Sequence, residues 1–290
     1  MKKKRKGFST VLLILVFTAG LSLLLYPTFA DYWNSTRASK TIAHYADAVA
    51  ELDDDDFSRL WQEAVAYNEA LSKRSVEYSL SEDRQSRYEN TLNIGGSGVM
   101  GYIEIESIGV SLPIYHGTSD GVLQVAVGHL DWTSLPVGGK SSHCVLSGHR
   151  GLPSAKLFTN LDQLVEGDVF CIRVLDEVLT YEVDRILIVE PQNVEPLCIV
   201  PGEDYCTLVT CTPYGINTHR LLVRGHRIEN TEEAAVVHVT SDAVQIEPQL
   251  IASILGVPTL VLLLFIFFLK GGKKKNGAIV EEKTDEKKTL

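Results

Sequence analysis

Two uncharged apolar runs, one near each end of the chain, most strongly constrain what it can fold into. Residues 7–30 and 250–269 contain no charged side chain and are mostly Leu, Val, Ile and Phe. About 20 apolar residues suffice to cross a bilayer as a helix. We therefore predict transmembrane helices at 8–30 and 250–269, which flank an outer portion of about 220 residues.

Basic residues on the outer flank of each run predict the orientation of the chain. Residues 2–6 are all Lys or Arg, and Lys270 and residues 273–275 follow the second run. Because basic clusters tend to stay on the cytoplasmic side, we expect residues 1–7 and 270–290 to be cytoplasmic and residues 31–249 to lie outside the cell membrane. A cleaved signal peptide is the alternative for the first run, since residues 28–30 resemble a small-residue cleavage site.

The charge of the outer portion limits its partners. The whole chain carries a net charge of −10 despite its basic ends, so the outer portion is more acidic than the average. Proteins that bind nucleic acid usually carry a basic patch, and we therefore expect no nucleic-acid partner. The sequence also contains no CxxC pair or HExxH motif, and the aspartate cluster 53–56 is most simply a solvated face, so we expect neither a metal site nor a cofactor.

Hydrophobic periodicity divides the outer portion into a helical part and a β-rich part. From 34 to 74 apolar residues recur at spacings of three and four, and the aspartates 53–56 are expected to begin a second helix. From about residue 102 the pattern changes to eight short β-rich runs, which predict a barrel or a sandwich. These runs are 102–105, 112–115, 122–127, 143–147, 169–175, 179–189, 206–211 and 221–227. A short helix is expected within 154–164, and residues 231–249 form a linker.

Three residues form the candidate catalytic set. Cys211 ends a β-rich run, and Arg220 follows nine residues later, after the turn 213–215. A nearby cation favours the nucleophilic thiolate, whereas a guanidinium can hold an anion but cannot act as a base. His149, in the loop after the run 143–147, is the candidate acid/base. This combination points to covalent cysteine chemistry on an acyl group.

Several longer motifs resemble one enzyme family. The segments 146–158 (LSGHRGLPSAKLF) and 211–224 (CTPYGINTHRLLVR), with 100–105 (MGYIEI) and 112–117 (LPIYHG), resemble the class C, pilus-assembly branch of the sortases. These are cysteine transpeptidases of Gram-positive bacteria. The resemblance covers roughly residues 99–228 and implies an eight-stranded β-barrel at 99–230, preceded by a helical and lid-like region at 31–98.

The resemblance also implies a reaction. Cys211 would be the nucleophile, His149 the acid/base and Arg220 the residue that stabilises the oxyanion and substrate. The substrate would be a pilin or surface protein with an LPXTG-like sorting signal, and the acceptor a lysine amine of the next pilin. Three alternatives remain open: attachment of surface proteins to cell-wall peptide, hydrolysis by a cysteine peptidase, and a non-catalytic membrane-bound adhesion module.

Other features leave alternatives open. His219 and His226 compete with His149. Arg150, Arg224 and Arg227 compete with Arg220. Cys198 and Cys206 flank a Pro-Gly turn and could form a disulfide or remain free. The disulfide state of Cys144 and Cys171 stays open. The chain lacks the Asp-Pro-aromatic lid motif of many class C sortases. We therefore expect the polar segment 75–94, with Tyr78 and Tyr88 as its aromatic residues, to make few apolar contacts and to be mobile.

Overall fold

A long amino-terminal helix begins the structure. The computed structural model describes residues 3–74 and 76–230, so the predicted linker, second membrane helix and tail lie outside the described residues. Helix α1 spans Lys3–Ala50. Within the described ranges, one segment, Leu15–Ala50, is long and apolar enough to cross a membrane by length and composition. This helix could therefore serve as a membrane anchor.

The carboxyl-terminal half of α1 packs against the domain that follows it. Ala38, Ile42 and Tyr45 are buried, at helical spacings of four and three. The Tyr45 hydroxyl donates to the carbonyl of Met100 at 2.9 Å and accepts from the amide of Leu175 at 2.8 Å. The helix therefore continues without a break past the predicted membrane boundary at residue 30 and is hydrogen-bonded to the domain that follows.

The aspartate run begins the second helix, as predicted. Helix α2 spans Asp54–Ser72, and the side chain of its N-cap residue Asp53 accepts from the Asp56 amide at 2.8 Å. This bond satisfies a donor that the first turn leaves without a partner. Farther along α2, the buried Asn68 amide group donates to the Leu135 carbonyl at 3.0 Å and accepts from the Leu135 amide at 2.7 Å. The pair of bonds holds α2 against the barrel.

The polar segment after α2 is packed rather than loosely attached. Helix α3 spans Glu82–Asn90, and Tyr88, Leu92 and Ile94 are buried between this part of the chain and the barrel. Leu80 packs against the same core. The expectation that this segment makes few apolar contacts is therefore wrong. The polar composition concealed that Tyr88, Leu92 and Ile94 are buried in the main core.

Eight strands close into a barrel in the order β1-β2-β3-β4-β7-β8-β6-β5. The pairs β2–β3 and β4–β7 are parallel, and the other pairs are antiparallel. The strands are β1 Val99–Ile105, β2 Val110–His116, β3 Val127–His129, β4 Ser142–Ser147, β5 Val169–Val174, β6 Glu177–Val189, β7 Asp204–Thr212 and β8 His219–Ile228. The predicted fold class, a mainly β structure with an eight-stranded barrel and amino-terminal helices, is confirmed.

Two predicted elements differ from the structure. The run 122–127 is not one strand, because helix α4, Asp120–Leu123, occupies its first part and β3 begins only at Val127. Valine-rich runs have high β-propensity, but tertiary contacts override a weak local preference. The predicted helix at 154–164 is reduced to a single 3-10 turn, Leu161–Gln163. Leu157 adopts a φ of 42°, in the left-handed region, and a right-handed helix cannot pass through it.

Candidate active site

Cys211 and Arg220 lie directly opposite each other on two antiparallel strands. Cys211 is the penultimate residue of β7, and its register partner in β8 is Arg220. Side chains at directly opposite positions share one face of the sheet, with Cβ atoms about 5 Å apart. The loop between them is a tight turn, in which the amides of Ile216 and Asn217 both donate to the Pro213 carbonyl. The nine-residue spacing from Cys211 to Arg220 is therefore explained by a β-hairpin, in which the two residues lie opposite each other on the two strands.

His149 reaches the same place from the parallel neighbour of β7. The β4–β7 ladder pairs Ser147 with Val209, and the Gly148 amide continues it by donating to the Val209 carbonyl at 3.0 Å. The Thr210 hydroxyl donates to the Gly148 carbonyl at 2.8 Å. These two bonds hold the residue before His149 against the end of β7 that carries Cys211. His149 and Cys211 are both half-buried.

The three residues lie on the outer face of the barrel. Alternation along β7 directs Cys206 and Leu208 into the main core, whereas Val209 belongs to a separate cluster with Val145 and Leu222. Cys211 shares the face of Val209, as the sequence predicted, and Cys206 points the other way. The candidate nucleophile is therefore accessible from outside, while the barrel interior remains filled.

Three histidines are occupied by structural hydrogen bonds. His143 contacts the Cys198 carbonyl and the Thr207 hydroxyl. His129 contacts the Tyr88 hydroxyl and the Ser134 carbonyl. His116 lies between the carbonyls of Gly98 and Thr91. Burial lowers the pKa of His116 and lowers that of His143 to about 4, so these rings are neutral near pH 7.

The two histidines near the nucleophile in sequence are separated from it by strand geometry. His219 pairs with Thr212, so its side chain projects to the face opposite Cys211. His226 pairs with Tyr205, six residues before Cys211 on β7. At about 3.3 Å per residue, that separation is roughly 20 Å. His149 is the histidine that the β4–β7 register brings to the thiol.

The competing arginines are held by other partners. Arg224 donates twice to the Asp184 carboxylate, at 3.0 and 2.7 Å. Arg227 donates to the carbonyls of Thr180 and Val178. Arg220 donates only to the carbonyls of Asn217 and His219, at 3.3 and 3.1 Å, and no carboxylate in the described ranges pairs with it. Its charge is therefore not neutralised by a described acidic side chain.

Arg150 connects the loop that carries His149 to the strand that carries Cys211. It forms an ion pair with Asp162, and its guanidinium donates to the Thr212 hydroxyl at 3.5 Å. The same group lies over the Tyr214 ring, 5.8 Å from its centroid. The sequence analysis considered Arg150 only as an alternative to Arg220 for the catalytic arginine. Its position next to His149 is the signal that could have indicated this supporting role.

All five cysteines are free thiols in the structure. Cys206 does not pair with Cys198; its register partner is the buried Cys144 on β4. Burial raises the pKa of Cys206 well above its ordinary value and also raises that of Cys171 and Cys198. Because the thiolate is the nucleophile, these three thiols are poorly suited to covalent catalysis.

An apolar surface extends from the candidate site along the outer face. Val145, Val209 and Leu222 are its buried centre, joined by Leu197 from the loop 190–203 between β6 and β7. The partly buried side chains that flank this cluster are Leu130, Trp132, Leu187 and Val189. An apolar floor beside a nucleophile, a histidine and an arginine is suited to bind an extended peptide and hold one of its carbonyls at the thiol.

The segment before α3 reaches the edge of this surface. The Tyr78 ring lies 5.1 Å from the Trp132 ring in an edge-to-face arrangement, and 57% of Tyr78 remains exposed. Glu77 and Arg84 form an ion pair within the same segment. Tyr88, the other aromatic residue considered from sequence, is buried against the barrel and does not face the apolar surface.

Comparison with known proteins identifies the family. A family model described as the sortase domain matches residues 103–228. Sortase C1 from Streptococcus agalactiae is 47% identical, with a TM-score of 0.65, and the match covers 66% of this chain and 100% of that one. Sortase C from Streptococcus pneumoniae is 44% identical, with a TM-score of 0.59, and covers 66% and 98%. The chain belongs to the sortase family.

A curated relative gives the same family at lower identity. Sortase A from Streptococcus agalactiae serotype III (strain NEM316) is 27% identical over 243 residues, which are 80% of this chain and 90% of that protein. Sortases are cysteine transpeptidases that act on LPXTG-type surface or pilin substrates, and this chain is therefore a sortase transpeptidase. Solved structures that resemble it include class C sortases.

Proposed function

We propose that Cys211, His149 and Arg220 carry out the transpeptidation, and that the substrates are pilins. The observation that carries this proposal is the meeting of three chain segments on one outer face: β4 leads to His149, β7 ends with Cys211, and β8 begins with Arg220. The likeness to class C sortases supports pilin joining. One of these relatives, from Streptococcus pneumoniae, is described in terms of pilin substrate specificity.

In the first half-reaction, the Cys211 thiolate attacks the Thr–Gly carbonyl of an LPXTG-like signal. A bond forms between Sγ and the carbonyl carbon, and the C–N bond breaks. His149 gives its proton to the departing amine, while the Arg220 guanidinium stabilises the negative charge on the carbonyl oxygen. Arg220 suits this role because no described carboxylate competes for it.

In the second half-reaction, a lysine amine of the next pilin attacks the thioester. A C–N bond forms, the C–S bond breaks, and Cys211 leaves as the thiolate. His149 accepts the proton of the amine and returns to its starting state. One group must donate a proton in the first step and accept one in the second, and imidazole can do both near neutral pH.

The proposed topology places this chemistry outside the membrane. Helix α1 would anchor the amino-terminal end, and the apolar run 250–269 would form a second anchor. Both termini would be cytoplasmic, because the basic clusters lie at the two chain ends. Single-cysteine labelling in intact cells at positions 4 and 285 tests this arrangement, and labelling of either position by an impermeant reagent would contradict it.

The catalytic assignment is tested with Cys211→Ala and its matched control, Cys206→Ala. Cys211→Ala should abolish cleavage of a peptide that contains an LPXTG-like signal, and it should leave the fold intact because the thiol is only half-buried. Cys206→Ala removes a buried thiol on the opposite face and should retain most activity per folded molecule. Cleavage by Cys211→Ala at the wild-type rate would refute the assignment.

The acceptor is tested by offering competing amines to the trapped thioester. Transfer to a pilin lysine peptide, detected as an isopeptide product by mass spectrometry, is the expected result. Exclusive transfer to a cell-wall peptide would instead indicate surface-protein anchoring. Release of the free acid alone would indicate a hydrolase.

A further inference from the structure

The loop 190–203 forms one wall of the apolar surface described above. It connects β6 to β7 and contains one short 3-10 turn, Glu195–Leu197. Leu197 is buried against Val145, Val209 and Leu222. Between the loop and the strands lies a cavity of about 180 Å³, lined on the loop side by residues 195, 196 and 198–200 and on the strand side by Arg185, Leu187, Thr207, Leu222 and Arg224.

One buried side chain joins the middle of this loop to the sheet. His143, on β4, faces outward from the barrel, and its Nδ1 atom lies 2.9 Å from the carbonyl oxygen of Cys198. Its Nε2 atom lies 2.7 Å from the Thr207 hydroxyl of β7. A carbonyl can only accept, so Nδ1–H donates to Cys198 and Nε2 accepts from Thr207. This pattern is satisfied by the neutral ring.

Neighbouring side chains fix the orientation of the ring. The Tyr205 ring packs edge-to-face against His143 at 5.7 Å, and the Arg224 guanidinium covers Tyr205 at 4.1 Å. Arg224 is in turn held by two bonds to the Asp184 carboxylate. The donor that reaches Cys198 therefore projects from a rigid part of the sheet.

His143 is too far from the nucleophile to take part in bond breaking. Its register partner on β7 is Tyr205, six residues before Cys211, which corresponds to roughly 20 Å along the strand. Any effect of His143 on the reaction must act through the loop and the peptide it contacts.

We propose that His143 is a positioning residue that holds the loop 190–203 in place by donating to the Cys198 carbonyl, so that Leu197 stays packed on the apolar cluster and the loop forms one wall of the groove that binds the sorting peptide. The proposal rests on the proposed function, because it assigns the apolar surface to the sorting peptide. Loss of the bond leaves the Cys198 carbonyl without its partner and detaches the loop from the sheet. Binding of the peptide is then weakened, whereas the rate of the chemical step at Cys211 is little changed.

Asn and Gln substitutions distinguish this role from simple packing. In His143→Asn the side-chain NH₂ group takes the place of Nδ1 and can still donate to Cys198. In His143→Gln the donor moves to the position of Nε2, near Thr207, and the Cys198 carbonyl loses its partner. Both variants replace the ring with an amide, so general loss of packing affects them alike.

Steady-state cleavage of a sorting peptide by the full chain gives the first measurement. We expect His143→Gln to raise KM about tenfold with kcat changed by no more than about twofold, and His143→Asn to restore most of the wild-type KM. A tenfold change corresponds to 1.4 kcal/mol, within the range for leaving a buried acceptor without a donor. His226→Gln, a half-buried histidine at the same end of the sheet, is the control and should match the wild type. Equal KM values for the Asn and Gln variants would overturn the proposal.

The native thiol of Cys198 gives a second measurement that does not depend on the proposed function. Cys198 is half-buried, and its rate of maleimide labelling, followed by peptide mass spectrometry in the Cys211→Ala background, reports how well the loop is held. His143→Gln should raise this rate about tenfold and His143→Asn should not. Failure of the wild type to cleave the sorting peptide would refute the proposed function, whereas unchanged Cys198 labelling in His143→Gln would refute the role of His143.

Discussion

Tyr88 provides a sensitive test of how the segment 76–94 is attached to the barrel. Its ring is fully buried, and its hydroxyl accepts from the Gly117 amide at 2.8 Å. The hydroxyl donates to Nδ1 of His129 at 3.0 Å and also lies 3.2 Å from the His129 carbonyl oxygen, and Nε2 of His129 donates to the Ser134 carbonyl at 2.8 Å. Burial raises the pKa of Tyr88, so the hydroxyl keeps its proton and remains a donor.

Replacing Tyr88 with Phe removes one oxygen atom and leaves two buried groups without partners. These are the Gly117 amide and Nδ1 of His129, and each unsatisfied buried group costs about 1–3 kcal/mol. The ring still fills its site, so there is no large cavity term, and removing the buried hydroxyl offsets part of the cost. We expect the free energy of unfolding to fall by about 2–4 kcal/mol, which for a domain of this size corresponds to a Tm lower by roughly 4–16 °C.

Urea unfolding of the full chain in detergent, followed by near-UV circular dichroism, measures this change. The midpoint should fall while the dependence on urea concentration stays constant, because the surface exposed on unfolding is unchanged. Tyr78→Phe is the matched control. Tyr78 is 57% exposed and touches Trp132 through its ring, so this variant should differ by no more than about 0.5 kcal/mol. A Tyr88→Phe variant as stable as that control would refute the inference that these hydrogen bonds anchor the segment.

Three other changes test the site and its support. Arg220→Lys keeps the charge but not the planar fork of donors, so kcat should fall on the order of 100- to 1,000-fold, and a near-wild-type kcat would exclude Arg220 from oxyanion stabilisation. Burial lowers the pKa of His143 to about 4 and also lowers that of His116, so the unfolded chain binds more protons than the folded one between about pH 4 and 6.5. The free energy of unfolding should therefore decrease as pH falls through this window. In His143→Asn the free energy of unfolding should depend less on pH over the same range. Gly148→Ala would place a methyl group 2.6 Å from the Phe158 ring next to His149, and it should reduce thermal stability, activity or both.

The strands and the pairing of Cys211 with Arg220 could be predicted because they depend on local pattern. Seven of the eight predicted runs overlap single observed strands, since alternation along a strand is set by which face is buried. The spacing from Cys211 to Arg220 indicates a turn, and a tight turn between two strands forces opposite residues together. The predicted secondary structure was wrong for the strand at 122–127 and the helix at 154–164, where burial of a few side chains outweighed local conformational preference.

The sequence by itself determined the apolar amino-terminal helix, the β-rich domain and the residue types of the candidate site. Their chemistry follows from the side chains alone, whatever the fold. Only the tertiary structure decided which histidine meets Cys211, because that depends on the parallel pairing of β4 with β7 across about sixty residues of intervening chain. It also decided that Tyr88 is an anchor and that His143 holds the loop 190–203. Both roles depend on partners distant in sequence, and no local pattern encodes such contacts.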